Sequence, residues 1–151
     1  MPSENLEKHP VKILLLSNKV PFPANDGSTI AIRSMIDAML LNGVTLSVLS
    51  LNTKKHHRSA TEIKENCPEN LDFSSVEVDT NIKIGSAFLN LINRKPYHVS
   101  RFKQIKMEKI LKAKLAEIDF DIVQLEGLSM AVYLPLIRKY SKAAICMRAH
   151  N

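Results

Sequence analysis

Three places in this sequence of 151 residues carry side chains able to hold an anion or move a proton. The first is the loop PFPANDGST, where Asp26, Gly27 and Ser28 lead into an apolar-periodic stretch. Glycine there lets a ligand come close to the backbone, and a helix starting behind it turns N–H groups and its positive dipole end toward an anion. With one glycine the loop is no GxGxxG fingerprint, and without a following Gly-Lys-Ser/Thr it is no Walker loop. An ordinary strand-to-helix turn has the same composition. The second place is Glu126, followed by Gly127, a carboxylate able to accept ligand hydroxyls or to pair with Arg148 or Arg101. The third is His150, whose imidazole can donate, accept or carry charge beside a phosphate; a lone histidine also serves as a purely structural group.

Other combinations offer less. His56 and His57 follow Lys54 and Lys55, but adjacent histidines on a strand point to opposite faces and no further ligand type clusters with them, so no metal site is expected. No Ser-His-Asp or Cys-His set has meaningful spacing. The two cysteines, Cys67 and Cys146, are far apart and form no CxxC pair, the pattern of reduced thiols in a cytoplasmic protein.

The elements that must hold these groups follow from hydrophobic periodicity. Residues 1–10 are a polar tail ending in Pro10. VKILLLS, residues 11–17, is a nearly continuous apolar run, as expected of a strand buried on both faces of a parallel sheet. Ile32, Met35, Ile36, Met39 and Leu40 recur at helical spacing between a Ser28 or Thr29 cap and the stop at Gly43. VTLSVLSL, residues 44–51, is a second strand, completing a βαβ unit. A short helix is predicted at 59–66, a third strand at 75–78 and a helix at 84–93. A long basic helix is predicted at 101–118, with Ile105, Ile110, Leu111, Leu115 and Ile118 inward. A fourth strand at 121–125, a helical stretch at 129–140 restarted by Pro135, and a fifth strand at 143–148 complete the pattern. Alternating strands and helices predict an α/β, Rossmann-like doubly wound sheet of mainly parallel strands with helices on both faces. In such a sheet, ligand groups lie just past the carboxyl ends of the strands, where Gly27, Glu126 and His150 fall.

Composition bounds the remaining possibilities. Apolar residues make up 45% and charged residues 24%, which excludes a disordered chain or a disulfide scaffold. No run approaches the length of a membrane span, and the apolar stretch after the tail is too short for a signal-peptide core. The net charge of +6 is concentrated between Arg94 and Glu117, where eight Lys/Arg face two Asp/Glu. This basic segment is either a solvated helix face or an attachment to an anionic membrane surface. With aromatics at 5% and no Trp, no nucleic acid partner is expected.

Several blocks, in order, resemble a known family. VKILLLS, VPFPANDGS, the helix carrying Arg33, VTLSVLSLNTKKHH, RKPYHVSRF, FDIVQLEGLSMAVYLPLIRKYS and AAICMRAHN are together similar to the start of a family 4 glycosyltransferase of GT-B fold. The resemblance covers residues 11–151 and implies the N-terminal, acceptor-side domain of a retaining enzyme. Such an enzyme moves a sugar from a nucleotide-sugar donor to a glycan or lipid-linked acceptor. By the same resemblance, Asp26, Gly27 and Ser28 match the family's glycine-rich loop near the donor phosphates, with Ser28 in place of its second glycine. His150 matches the histidine lining the catalytic cleft, and Arg101 and Glu126 fall in blocks that contribute to substrate or phosphate binding. The family's donor-gripping C-terminal domain has no counterpart in these residues, so the chain alone is expected to be inactive and incomplete at its C-terminal end. No cofactor is implied, since the nucleotide sugar is a substrate. A cytoplasmic location is expected, peripheral to the inner membrane face through the basic segment. The alternative is a non-catalytic Rossmann-like module binding a phosphate ligand or a membrane surface.

Overall fold

A computed structural model describes residues 9–78 and 102–149. The predicted tail up to residue 8, the helix at 84–93, Arg101, His150 and Asn151 lie outside the described residues. Strand β1 is Lys12–Ser17, α1 Gly27–Leu41, β2 Thr45–Thr53, α2 Ala60–Asn66 and β3 Asp72–Val78. These are followed by α3 Ile105–Glu117, β4 Ile122–Glu126, a 3-10 segment Leu128–Tyr133, α4 Leu134–Tyr140 and β5 Ala144–Arg148.

The strands form one five-stranded sheet in the order β3-β2-β1-β4-β5, and every pairing is parallel. The chain moves outward from β1 through β2 to β3, then crosses back over to β4 and on to β5. Because parallel crossovers are right-handed, this reversal of direction must put the two sets of helices on opposite faces. The packing follows. Ile13, Leu15, Leu46 and Val48 meet Ile32 and Ile36 of α1, with Ile63 of α2 and Cys67 just after it packed against them. Leu14, Leu16, Leu49, Leu51, Val123 and Leu125 meet Met107, Leu111 and Leu115 of α3, Ile137 of α4, and Met130 and Tyr133 between them. In β1 alternate residues therefore serve alternate cores, and Leu14, Leu15 and Leu16 are fully buried. That explains why its sequence reads as an unbroken apolar run.

The predicted basic helix differs in register. It begins at Ile105 rather than at residue 101, and Ile105, predicted inward, is 73% exposed. Met107, Leu111 and Leu115 form the buried stripe, with Ile110 and Ile118 flanking it. At about 100° per residue, Ile105 lies about 200° around the helix from Met107, on the face away from the buried stripe. What fixes the helix start is Tyr133, whose hydroxyl donates to the Phe102 carbonyl (2.6 Å) and accepts from the Gln104 N–H (3.1 Å). Burial pushes the pKa of this phenol up to about 12. The third strand is longer than predicted: its first half, DFSS, carries few apolar residues because β3 is an edge strand. Pro135 is in the first turn of α4, as its restart role requires.

Candidate functional site

Sequential elements leave β1 in one direction and β4 in the other, so the crevice between the carboxyl ends of β1 and β4 is the topological switch point, the usual ligand position in such sheets. Small polar residues at the strand ends shape its floor. The registers align Ser75, Ser50, Ser17, Glu126 and Arg148 in one row across all five strands. Alternation puts this row on the α1 face, beside Leu15 and Val48 rather than beside Leu16 and Leu49. Ser17 and Ser50 are fully buried, and the Ser50 hydroxyl has no hydrogen-bond partner among the described residues.

On the β1 side, the Ser17 hydroxyl donates to the Lys19 carbonyl (2.7 Å) and accepts from the Lys19 N–H (3.2 Å), a local turn that fixes Lys19. The Lys19 ammonium donates to Asp26 Oδ2 (3.1 Å) and Ser28 Oγ (2.9 Å), and Ser28 Oγ donates to Asp26 Oδ1 (2.8 Å). Asp26 is the N-cap of α1: it accepts from the Thr29 N–H at 2.9 Å, while Thr29 Oγ1 accepts from the Asp26 N–H at 3.0 Å. The Thr29 bond, then those from Ser28 and Lys19, hold the Asp26 carboxyl far below the usual aspartate range. The positive helix end is thus met by the chain's own carboxylate, and Lys19 is held beside it. Gly27 has no positive φ, and a Cβ placed there meets nothing within 4 Å, so its own chain does not demand glycine.

On the β4 side, Glu126 is only 1% exposed. It accepts from Gln124 Nε2 (2.6 Å) and from Arg148 Nε (2.9 Å), with Arg148 Nη2 2.8 Å away. The sequence left Glu126 open to Arg148 or Arg101; Arg148, its register neighbour on β5, is a partner. The next residue, Gly127, has φ 88°, a conformation that needs glycine, and its N–H donates to the Arg148 carbonyl (2.9 Å). Across the crevice Asn18 Nδ2 donates to Ser129 Oγ (3.1 Å), joining the ends of β1 and β4.

The turn after β2 adds charge. Lys54–His56 is a 3-10 turn rather than strand, so the opposite-face expectation for the two histidines does not apply. Burial, and then Lys19 and Lys55, push the His56 pKa down, which leaves it neutral near pH 7. His57 Nε2 is 3.5 Å from Glu77. Among the described residues no His/Cys/Asp/Glu group is arranged to hold a metal, and both cysteines are free thiols.

The structure therefore brings Asp26, Gly27 and Ser28 to one rim of the crevice and Glu126 to the other. Arg101 and His150 lie outside the described residues. Sequence reasoning missed Asn18, Lys19 and Ser129, and named Arg148 only as one of two partners open to Glu126. Ser17 and Ser50, at otherwise apolar strand ends, are the signal that marked where their side chains gather.

No family model matches the chain, and no curated protein does. Solved structures do. Phytolacca americana UGT2, complexed with UDP-2-fluoro-glucose and pterostilbene, is similar with a TM-score of 0.53 at 10% identity; the match covers 94% of this chain and 31% of that one. The C-terminal domain of a hydrogenase from Pyrococcus furiosus is similar with a TM-score of 0.51 at 13% identity, covering 93% and 92% of the two chains. The likeness is one of fold alone.

Proposed function

We propose that this chain is the acceptor-side domain of a retaining, family 4-type GT-B glycosyltransferase, whose switch-point crevice meets the diphosphate of a nucleotide-sugar donor. The carrying observation is the Lys19 ammonium, fixed at the mouth of the crevice by Asp26 and Ser28. Departure of a diphosphate needs preorganised positive charge and hydrogen-bond donors, and the Lys19 ammonium, with a third N–H beyond those given to Asp26 and Ser28, supplies both. The block resemblance and the likeness to a UDP-sugar complex support the reading. His150, in the same proposal, positions the reacting groups, Arg101 assists in substrate binding, and the buried Glu126–Arg148 pair sets the wall of the crevice. The whole enzyme pairs this domain with a donor-gripping one, and works in the cytoplasm, peripheral to the inner membrane face.

Calorimetric titration with UDP and with uridine tests the site. UDP is expected to bind about tenfold or more tighter than uridine, and Lys19→Ala to remove most of that difference. Equal affinity for the two, or indifference to Lys19→Ala, overturns the assignment. Turnover tests the enzyme: none is expected from this chain alone with a panel of nucleotide sugars. With a matching C-terminal half added, turnover is expected to fall far more with His150→Ala than with His98→Ala. A second reading is a phosphate-ligand module, resting on the same Lys19 ammonium at the crevice. That module binds UDP and pyrophosphate alike and gains no turnover from any added half.

A further inference from the structure

The ammonium on which the proposed function relies already faces an anion. Lys19 Nζ donates to Asp26 Oδ2 at 3.1 Å, and the Lys19 side chain is 25% exposed, within reach of a ligand. Asp26 stays ionised near neutral pH, because the Thr29 N–H, and then Ser28 and Lys19, hold its carboxyl far below the usual aspartate range. A phosphate oxygen taking the third N–H of the ammonium stands at most about 6 Å from Asp26 Oδ2, since each acceptor is about 3 Å from Nζ. That lies inside the ~8 Å screening length of physiological salt, so the two anions repel. Asp26 also holds Lys19 in place, an effect of opposite sign. Other contacts serve that end without it. Ser28 Oγ accepts from Nζ at 2.9 Å, and the Ser17 hydroxyl pins both the N–H and the carbonyl of Lys19. The next residue, Val20, is buried. Lys19 therefore stays positioned when the Asp26 charge is lost, and the repulsion decides the sign.

We propose that Asp26 is a built-in counter-ion that lowers the affinity of the crevice for a free diphosphate and so sets how readily that product leaves. The inference rests on the reading of the crevice as a diphosphate site. The penalty grows with the negative charge of the ligand. A nucleoside diphosphate freed of its sugar gains a terminal phosphate that ionises a second time near neutral pH, so Asp26 weighs more against the product than against the donor. As the diphosphate departs, Asp26 neutralises the ammonium left behind, and no fixed cation stays unpaired.

The test is calorimetric titration of the whole chain with uridine, UMP and UDP at neutral pH and low salt. Asp26→Asn, which keeps a capping oxygen, is expected to bind UDP about fivefold or more tighter than wild type, UMP with a smaller gain and uridine with none. In a Lys19→Ala background the same substitution is expected to change UDP affinity by less than about twofold, because the phosphate is then no longer held beside Asp26. Should Asp26→Asn not fold, Asp26→Ser, another uncharged capping residue, serves in its place with the same expected gain. If wild type prefers UDP to uridine through Lys19 but Asp26→Asn binds UDP equally or more weakly, this inference fails while the reading of the crevice stands. A gain equal for uridine and UDP, or one that persists without Lys19, also overturns it. No preference for UDP over uridine in wild type or in Asp26→Asn overturns both.

Discussion

Replacing Asp26 by alanine separates what this residue does for the fold from what it does for the crevice. The substitution removes the acceptor for the Thr29 N–H, one half of a reciprocal cap, and such a loss costs about 1 kcal/mol, with a range of about 0.5–2. It also removes the partner of Lys19. The two side chains are 25% and 37% exposed, so the ion pair adds only about 0–1 kcal/mol. Asp26→Ala should therefore lower stability by about 1–2 kcal/mol, or about 2–8 °C in Tm for a chain of this size. Asp26→Asn keeps a capping oxygen and loses only the charge, so it should cost less than about 1 kcal/mol. Urea and thermal unfolding of the three proteins measure this directly. The pH dependence gives a second check. Because the folded-state pKa of Asp26 is depressed, its contribution is fully present above the unfolded value of about 3.9 and fades as pH falls below it. The gap between wild type and Asp26→Ala should thus narrow between pH 5 and pH 3, measured in each buffer at about equal ionic strength. A Tm unchanged at pH 7, or a gap that widens in acid, would refute the capping account. The released Lys19 should meanwhile bind phosphate more strongly in Asp26→Ala than in wild type.

Further expectations concern single groups. Tyr133→Phe, losing both hydroxyl bonds that fix the start of α3, should cost about 1–3 kcal/mol in urea unfolding. The raised pKa of this phenol adds stability that is complete below pH 10 and lost as pH rises toward 12, so alkaline unfolding should start at lower pH relative to neutral stability in wild type than in Tyr133→Phe. Gly127→Ala, at φ 88°, should destabilise by roughly 1–2 kcal/mol, whereas Gly27→Ala, with open space and no positive φ, should change stability by less than about 0.5 kcal/mol. If the basic helix attaches to membranes, acidic vesicles should capture the chain in a salt-sensitive way, neutral vesicles should not, and Lys106→Glu with Lys109→Glu should remove about 1 kcal/mol of binding per lysine. Lys114, tied to Asp72 at 2.6 Å, and Lys103, 3.4 Å from Glu108, should matter less.

Much of the scaffold was legible because the central strands are buried on both faces. VKILLLS and VTLSVLSL could be read as strands without any partner in view, and Gly43 and Pro135 marked boundaries by their own backbone constraints. The edge strand β3 was read too short, since Phe73 is the one apolar residue from Asp72 to Ser74. The start of α3 was misplaced because it is set by Tyr133, thirty residues away in sequence. The same reason divides the site. Asp26 and Ser28 were visible through the loop around Gly27, although the cap expected at Ser28 or Thr29 is made by Asp26, because α1 begins at Gly27. Lys19 shows its role only beside them, and the Arg148–Glu126 and Asn18–Ser129 pairs exist only through strand pairing.

The position of β1 in the middle of the sheet has a kinetic consequence. Its pairing with β2 closes a short stretch of chain, but its pairing with β4 joins Ile13 to Ile122 across more than a hundred residues. The half containing α1 and α2 can therefore assemble from nearby segments as synthesis proceeds, leaving the other flank of β1 waiting for β4. Contacts of such long sequence separation slow folding, because the ordering of the intervening chain precedes the reward. Nascent chains should thus pass through a state with one core formed and the face of Leu14 and Leu16 still open. Mutations at Val123 or Leu125 should then speed unfolding more than they slow the first collapse.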